Sequence, residues 1–247
     1  MMPDVPFNSA LVRHKLGHKN AEGEVWAELK RRLAERLDEM VALGEKRHWV
    51  EKEILTDNFA VETELDAILC PLWLSVVNDV PLALHQMVRS LRADGVLLIS
   101  VLGMESFREF RAAWTEIGEP HGHIIPLTDV REVGGLLQKI KLALPVVDRD
   151  IITLTFPTFT ALYSFLRREG LRNVFTGRHQ GLLTPRKLQA MEQAYTQLFK
   201  RPDGRLPLTL EVIYAHGLRP SINQPTAAKR GSGKVSLVRI LGDKNQV

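Results

Sequence analysis

Two pairs of histidines are the side chains whose type and spacing first suggest metal chemistry. His14 and His18 are four residues apart, and on a helix this spacing can place two imidazoles on one metal ion. Gly17 lies between them and basic residues flank them, which favours a solvated segment over a metal site. His121 and His123 form a second pair in a glycine-containing loop. We predict that neither pair binds a metal.

A cysteine and a basic loop suggest nucleophilic or phosphate chemistry. Cys70 follows an apolar run, where a nucleophile could stand, but a small buried residue is the stronger interpretation. The segment Lys229–Lys234 has the composition of a phosphate-binding loop. Its upstream glycine has the wrong spacing and Val235 replaces the serine or threonine, and therefore we predict a solvated basic loop.

A glycine-rich turn is absent from the first part of the sequence. Before Gly95 the only glycines are Gly17, Gly23 and Gly44, and no two of them are close enough to form a GxG turn. Such a turn lets backbone N–H groups approach a cofactor and lets a helix pack closely on a strand. The sequence before Gly95 therefore lacks this signature of a cofactor cradle.

Composition indicates an ordinary globular protein. The 247 residues are 45% hydrophobic and 25% charged, enough for a sizeable core. The single cysteine excludes an internal disulfide and a multi-cysteine metal site, and fits a reducing cytoplasm. We expect no signal peptide and no membrane span, because no apolar run of about 18 residues is present. The net charge of +4 permits an acidic partner but is too small to indicate nucleic-acid binding.

The spacing of apolar residues predicts alternating helices and strands. Helices are predicted over Glu22–Leu43, Pro81–Arg92, Ser106–Ile117, Asp129–Leu144, Pro157–Gly170 and Pro185–Lys200. Strands are predicted over Ile54–Thr56, Leu65–Leu69, Val96–Leu102, Ile151–Phe156 and Leu208–Tyr214, with a short one at Val235–Ile240. This alternation favours an α/β fold with a mostly parallel sheet and helices on both of its faces.

Two parts of the chain are expected. Residues 1–44 form a basic N-terminal segment and helix, and residues 45–247 form an α/β domain. Within that domain we expect a helical insertion over residues 105–200 and a flexible basic tail over residues 219–247.

A long stretch of the sequence resembles a known enzyme class. Asp66–Gly103, DAILCPLWLSVVNDVPLALHQMVRSLRADGVLLISVLG, resembles the fourth strand, helix and fifth strand of class I S-adenosylmethionine (SAM)-dependent methyltransferases. Phe7–Lys19, Thr128–Pro185 and Arg205–Gly217 are similar to a narrower group. That group contains the malonyl-carrier-protein methyltransferases of biotin synthesis and a mitochondrial complex I assembly factor that acts on an arginine. The resemblance implies a Rossmann-like methyltransferase sheet with an α-helical insertion in the second half.

The chain departs from this family at the cofactor-binding strands. In the family, the first helix is followed by a strand with a DLGCGTG-like turn, and then by a second strand whose acid holds the ribose. Here Ile54–Thr56 resembles the third strand, and Gly44–Trp49 is not expected to replace the two before it. Ser75 and Val76 stand where the family often has a His-Trp pair. We interpret the sheet as truncated and the site as degenerate or completed by a partner.

The resemblance implies four cofactor-binding candidates. Asp57 follows the third-strand equivalent and matches the acid that binds the adenine amino group, although an ordinary Asp-Asn turn is the alternative. Cys70, Pro71 and Leu72 end the fourth-strand equivalent, which opens towards SAM and substrate in the family. SAM is thus the candidate cofactor, unless the site has been lost.

Five arginines are candidates for binding substrate, and no catalytic residue is assigned. They are Arg13 in the N-terminal segment and Arg131, Arg149, Arg178 and Arg205 in the second half. A guanidinium suits a carboxylate or phosphate through its fork of donors. The resemblance implies that the second half covers the substrate and that the N-terminal segment gates a pocket or docks an acidic partner. The alternatives are a solvated helix face for Arg13 and surface salt bridges for the others.

Two hypotheses about function follow. The first is a SAM-dependent methyltransferase-like protein that acts on a protein or carrier-bound substrate. The second is a non-catalytic assembly protein, a pseudo-methyltransferase that binds a protein partner. Loss of two strands would expose a sheet edge, so we expect a homodimer or a protein partner. An acyl carrier or a respiratory-complex subunit is the candidate partner.

Overall fold

The computed structural model describes residues 7, 12, 23–40, 45–51, 54, 62–119, 123–125, 127–171, 173–174 and 184–221. The helices are α1 (Glu24–Glu39), α2 (Val80–Ser90), α3 (Arg108–Glu116), α4 (Val130–Lys139), α5 (Phe159–Arg168) and α6 (Pro185–Phe199). The strands are β1 (Arg47–Trp49), β2 (Leu65–Pro71), β3 (Leu91–Leu102), β4 (Ala143–Phe156) and β5 (Leu206–Leu218), and a 3₁₀ turn covers Trp73–Val76.

The predicted α/β fold is confirmed, and the elements predicted between Leu65 and Tyr214 are present with shifted ends. The helix α4 ends at Lys139 because Lys141 has a left-handed backbone conformation (φ 58°). Leu144, which the sequence placed in that helix, belongs to β4. The strand predicted over Ile151–Phe156 therefore begins earlier, at Ala143, and has 14 residues.

The sheet has five strands in the order β1-β2-β3-β5-β4. The pairings of β2 with β1 and with β3 are parallel, whereas those of β5 with β3 and with β4 are antiparallel. Four of the five strands run in the same direction, in agreement with the expected mostly parallel sheet. The exception is β5, which runs back between β3 and β4 and is antiparallel to both.

The strand beside β2 also differs from the prediction. Arg47–Trp49 pairs in parallel with Ala67–Leu69, and the N–H of Val50 extends the ladder to the carbonyl oxygen of Leu69 (2.8 Å). Because β2 is buried at every position, its outer backbone groups need hydrogen-bond partners. Arg47–Trp49, which have no apolar pattern, supply these partners. Ile54, which belongs to the strand expected from the sequence, lies in a 3₁₀ turn instead.

Helices cover both faces of the sheet. On the face that we call the α1 face, Arg36 of α1 lies over the ring of Tyr214 of β5, 4.1 Å from its centroid. On the opposite face, the α3 face, Glu109 of α3 accepts a hydrogen bond from the N–H of Thr209 (3.0 Å). Residues 209 and 214 project to opposite faces because successive strand side chains alternate. Leu29, Leu33 and Leu37, at helical spacing on α1, are fully or almost fully buried.

A buried glutamate fixes the start of α1. The helix begins after Gly23, which supplies no capping side chain. Instead, the carboxylate of Glu169, at the end of α5, accepts a hydrogen bond from the N–H of Val25 (3.2 Å). The indole of Trp26 donates to the backbone carbonyl of Glu169 (3.1 Å). A Cβ on Gly23 would overlap this carboxylate, so the glycine permits a close approach, and the carboxylate satisfies one of the free N–H groups in the first turn of the helix.

The predicted tail begins with an ordered residue. The N–H of Arg219 donates to the carbonyl of Gly95 (2.8 Å), and the N–H of Asp94 donates to the carbonyl of Arg219 (3.0 Å). Residues 222–247, including Lys229–Lys234 and Val235–Ile240, lie outside the described part of the chain. Among the described residues, no helix has the length and apolar character needed to cross a membrane.

Candidate functional site

The parallel strands β1, β2 and β3 end at one edge of the sheet, which we call the carboxyl edge. Trp49 is paired with Leu69, two residues before β2 ends, and Pro71 is paired with Ser100 of β3. In open α/β sheets, ligands bind in the crevice outside the carboxyl ends of the strands. This edge is the candidate functional site.

The end of β2 makes a sharp turn at the carboxyl edge. Leu72 has a left-handed conformation (φ 53°), and its N–H donates to the carbonyl oxygen of Ser100 (2.9 Å). The 3₁₀ turn follows directly. Cys70 has no exposed surface, and Leu72 is 3% exposed. The three candidates Cys70, Pro71 and Leu72 therefore lie together at the edge but offer little side-chain surface, and their contact with a cofactor stays a prediction.

The loop after this turn binds a residue from the N-terminal segment. The side-chain oxygen of Asn78 accepts a hydrogen bond from the N–H of Phe7 (2.7 Å), and its amide nitrogen donates to the carbonyl of Phe7 (3.2 Å). Phe7 is 7% exposed and Val12 is fully buried. Sequence reasoning did not identify Asn78 as a contact of this segment. The available signal was its place in the stretch Asp66–Gly103 that resembles the methyltransferases.

A second buried glutamate organises the end of β3. Glu211 of β5 is 2% exposed, and one carboxylate oxygen accepts a hydrogen bond from the N–H of Glu105 (2.7 Å). The N–H of Gly103 donates to the backbone carbonyl of Glu211 (2.9 Å). The hydroxyl of Ser106 donates to the same carbonyl and accepts a hydrogen bond from the N–H of Glu211. A Cβ on Gly103 would overlap the Glu211 carboxylate. The loop after β3 is thereby locked onto β5.

Among the predicted substrate-binding arginines that the structure describes, Arg149 is the one joined to this buried group. A guanidinium nitrogen of Arg149 lies 3.3 Å from the other carboxylate oxygen of Glu211, while the Arg149 side chain is 59% exposed. The carboxylate thus orients a guanidinium whose remaining donors face solvent, and such a group can bind an anion. The partner, Glu211, was not predicted, because 62 residues separate the two in sequence.

The other predicted arginines lie elsewhere. Arg205 donates to the hydroxyl (2.9 Å) and the backbone carbonyl (2.6 Å) of Thr155, and so it joins the end of β4 to the turn before β5. Arg131 is exposed in the first turn of α4, where its N–H donates to the capping carboxylate of Asp129. Arg13, Arg178 and Asp57 lie outside the described residues.

The described residues contain no group of three or more His, Cys, Asp or Glu side chains placed to hold a metal ion. His123 stacks on Trp114, with the ring centroids 3.7 Å apart, and lies 3.3 Å from a carboxylate oxygen of Glu119. His123 is thus held beside α3 by stacking on Trp114 and by its polar contact with Glu119. His14, His18 and His121 are outside the described part of the chain.

Comparison with known proteins identifies two groups of relatives. The chain is 31% identical over 155 residues to a malonyl-[acyl-carrier protein] O-methyltransferase of Halorhodospira halophila, and this match covers 63% of this chain and 52% of the relative. It is 31% identical over 180 residues to the mitochondrial arginine-hydroxylase NDUFAF5 of Danio rerio, which covers 71% of this chain and 56% of the relative. The chain is a homologue of both groups of proteins.

The extent of these matches is limited. The chain spans about half the length of the curated relatives it matches. No family model matches it. Among solved structures, a proposed methyltransferase of Bacillus halodurans aligns with a TM-score of 0.47 and 12% identity, over 76% of this chain and 99% of the other.

Proposed function

We propose that this chain is a SAM-dependent methyltransferase-like protein whose cofactor site is altered or completed by a partner, and that it acts on or binds a protein or carrier-bound substrate. The observation that carries the proposal is the homology to malonyl-[acyl-carrier protein] O-methyltransferases and NDUFAF5. The carboxyl edge supports it, because Cys70 and Pro71 end a parallel strand and Leu72 directly follows it, at the place where such sheets bind ligands.

The described residues do not supply a cradle for the methionine end of SAM. The position beside β2 is taken by β1, and no glycine follows β1 before Gly95. Val50, directly after β1, is fully buried and its N–H is already bonded to Leu69. A glycine-rich turn would leave such N–H groups free for the cofactor. This mismatch is the reason for proposing an altered or partner-completed site.

Arg149 supports an anionic substrate. Its guanidinium is oriented by the buried carboxylate of Glu211 and is open to solvent on its other side. A carboxylate or phosphate of a carrier-bound group is the chemistry that a guanidinium fork recognises. The proposed compartment is the cytoplasm, where the single free cysteine, Cys70, would stay reduced.

Isothermal titration of the full chain with SAM and with S-adenosylhomocysteine tests the cofactor part of the proposal. We expect saturable binding, and we expect Asp57→Ala to weaken it about tenfold through loss of a hydrogen bond from the adenine amino group. Asp203→Ala is the matched control, because Asp203 is an exposed turn residue that contacts the N–H of Arg205. Absence of binding for both ligands would overturn an altered cofactor site within this chain and would leave only the partner-completed site.

The alternative is a non-catalytic assembly protein. The short β1 strand and the lack of a glycine turn favour it, since both remove parts that methyl transfer needs. This alternative predicts no SAM binding and a stable homodimer or protein complex. Light scattering of the purified chain distinguishes a homodimer from a monomer. A monomer that does not bind SAM would contradict the homodimer, and the alternative would then require a different protein as partner.

A further inference from the structure

An apolar cleft lies on the α1 face of the sheet, on the opposite side from Glu211 and Arg149. It has a volume of about 90 Å³ and lies between α1, α5 and the strands β4 and β5. Seven apolar side chains line it, namely Val25, Leu29, Ile152, Leu154, Phe165, Leu210 and Val212. The two other lining residues are Glu24 and Glu28.

The walls of the cleft are fixed in place by polar contacts outside it. Glu169 joins the first turn of α1 to the end of α5 through the N–H of Val25 and the indole of Trp26. Arg32 of α1 forms an ion pair with Asp150 of β4. Because these contacts hold α1 from two sides, the helix cannot move inward to fill the space without breaking them. The cleft is therefore preformed, as ligand sites usually are.

The polar groups at the cleft are unsuited to an anion. Hydrogen bonds from Arg31 and then Arg32 hold the pKa of Glu28 down to about 2, so this carboxylate is charged at neutral pH and its oxygens are occupied. Glu24 is largely exposed and lies 3.6 Å from Arg168. No lining side chain carries a cationic or hydroxyl group, and an anionic head group entering the cleft would lose water without gaining a donor.

We propose that this cleft binds the hydrocarbon part of a small uncharged molecule. Lining by branched aliphatic side chains and one phenyl ring gives contact without directional bonds, which suits a flexible alkyl chain. The site is independent of the proposed cofactor edge, and its test involves neither SAM nor activity.

The experiment compares two probes of the same chain length on the full protein. We expect 1-octanol to bind saturably in isothermal titration or ligand-detected NMR. We expect octanoate to bind at least about tenfold more weakly, because its charge would lose water without gaining a donor in the cleft. Ile152→Trp, which fills the cleft from β4, should weaken 1-octanol about tenfold or more. Ile151→Trp should leave binding unchanged, because its side chain projects to the other face and is 47% exposed.

A second pair of variants guards against misfolding. If circular dichroism shows that Ile152→Trp is unfolded, Leu154→Trp and its exposed neighbour Thr153→Trp give the same comparison two residues along β4. The proposal is overturned if 1-octanol does not saturate, if octanoate binds as tightly as 1-octanol, or if the control variants weaken binding as much as the cleft variants.

Discussion

The two outermost strands of the sheet, β4 and β1, form its two lateral edges, and these edges are built in opposite ways. The β4 edge is 14 residues long and is paired with β5 almost throughout. Its central charges are bonded inward to the same chain: Asp148 to Arg36, Asp150 to Arg32 and Arg149 to Glu211. The β1 edge has only three residues, Arg47–Trp49, paired with the middle of β2.

This difference indicates which edge stabilises the fold and which edge could accept a partner. Pro145 and the run of charges protect β4 from pairing with a strand of another molecule. The β1 edge adjoins the candidate cofactor site and has little pairing of its own. A partner that completes the sheet or the site would therefore be expected at β1, and the stability of the fold would be expected to come from the β3-β5-β4 side.

The largest effect is expected where the loop after β3 is locked to β5. Gly103→Ala would place a Cβ against the carboxylate of Glu211, and we expect a loss of about 2–3 kcal/mol in the free energy of unfolding. Gly135→Ala is the control, because its Cβ would meet nothing within 4 Å in the middle of α4. We expect that control to stabilise the protein by about 0.5–1 kcal/mol. Urea unfolding measures both, and equal effects would mean that the lock contributes nothing.

A smaller and local effect is expected at β1. Trp49 is half-buried, and the ammonium of Lys30 lies 5.9 Å from its ring centroid. Trp49→Ala should remove about 1–2 kcal/mol of local stability. Hydrogen exchange at the Val50 amide should then be faster, while the urea midpoint of the whole protein changes little. Ile152→Ala, half-buried in β4, should instead lower the global midpoint. If both variants lower the global midpoint equally, the two edges unfold together and the contrast between them is wrong.

The sequence predicted the elements of this fold better than their arrangement. Continuous apolar runs identified β2 and β3, and the helix predicted from Asp129 is present as α4, with Asp129 as its cap. β1 could not be found this way, since Arg47–Trp49 is a strand only because β2 needs a partner. The antiparallel place of β5 likewise depends on pairing between distant segments.

The candidate site was predicted in part for a related reason. The resemblance placed Cys70, Pro71 and Leu72 at the end of a strand, where the structure has them. The buried carboxylates were missed, because Glu169 meets Val25 across 144 residues and Glu211 meets Glu105 across 106. Such pairs have no local pattern, and each is recognised only when the fold brings a free N–H group to a carboxylate.

The β5 strand next to the long edge also predicts a pH dependence. Burial, and then the nearby charge of Arg36, lower the pKa of His216 below its ordinary value of 6.5. As the pH falls past 6.5, the unfolded chain takes up this proton before the folded protein does, and stability is lost until the folded pKa is reached. We expect urea unfolding at about pH 7 and pH 5 to show this loss, and His216→Gln to reduce it. His85→Gln, at an exposed position on α2, should retain the loss, and an equal reduction in both variants would exclude His216 as its source.

The smallest effect concerns ion pairs on the two sides of the sheet. Arg36 and Asp148 are 3.0 Å apart with side chains 31% and 58% exposed, so a double-mutant cycle should give a coupling of about 0.2–1 kcal/mol that vanishes in about 1 M salt. Asp66 at the start of β2 is the comparison, because its side chain is only 12% exposed beside Arg92.

The hydrogen bond from Arg92 lowers the pKa of Asp66, which also accepts a hydrogen bond from the N–H of Lys46 (3.0 Å) just before β1. Since this pair is less accessible to salt ions, its coupling should persist at the salt concentration that removes the Arg36–Asp148 coupling. Asp66→Asn should also remove stability that is present above pH 3.8, the ordinary pKa of the group, and lost as the pH falls through its lower folded pKa. If the Arg36–Asp148 and Arg92–Asp66 couplings respond equally to salt, then burial does not distinguish these two ion pairs. The lower stability expected on the β1 side would then be due to the shortness of β1 alone.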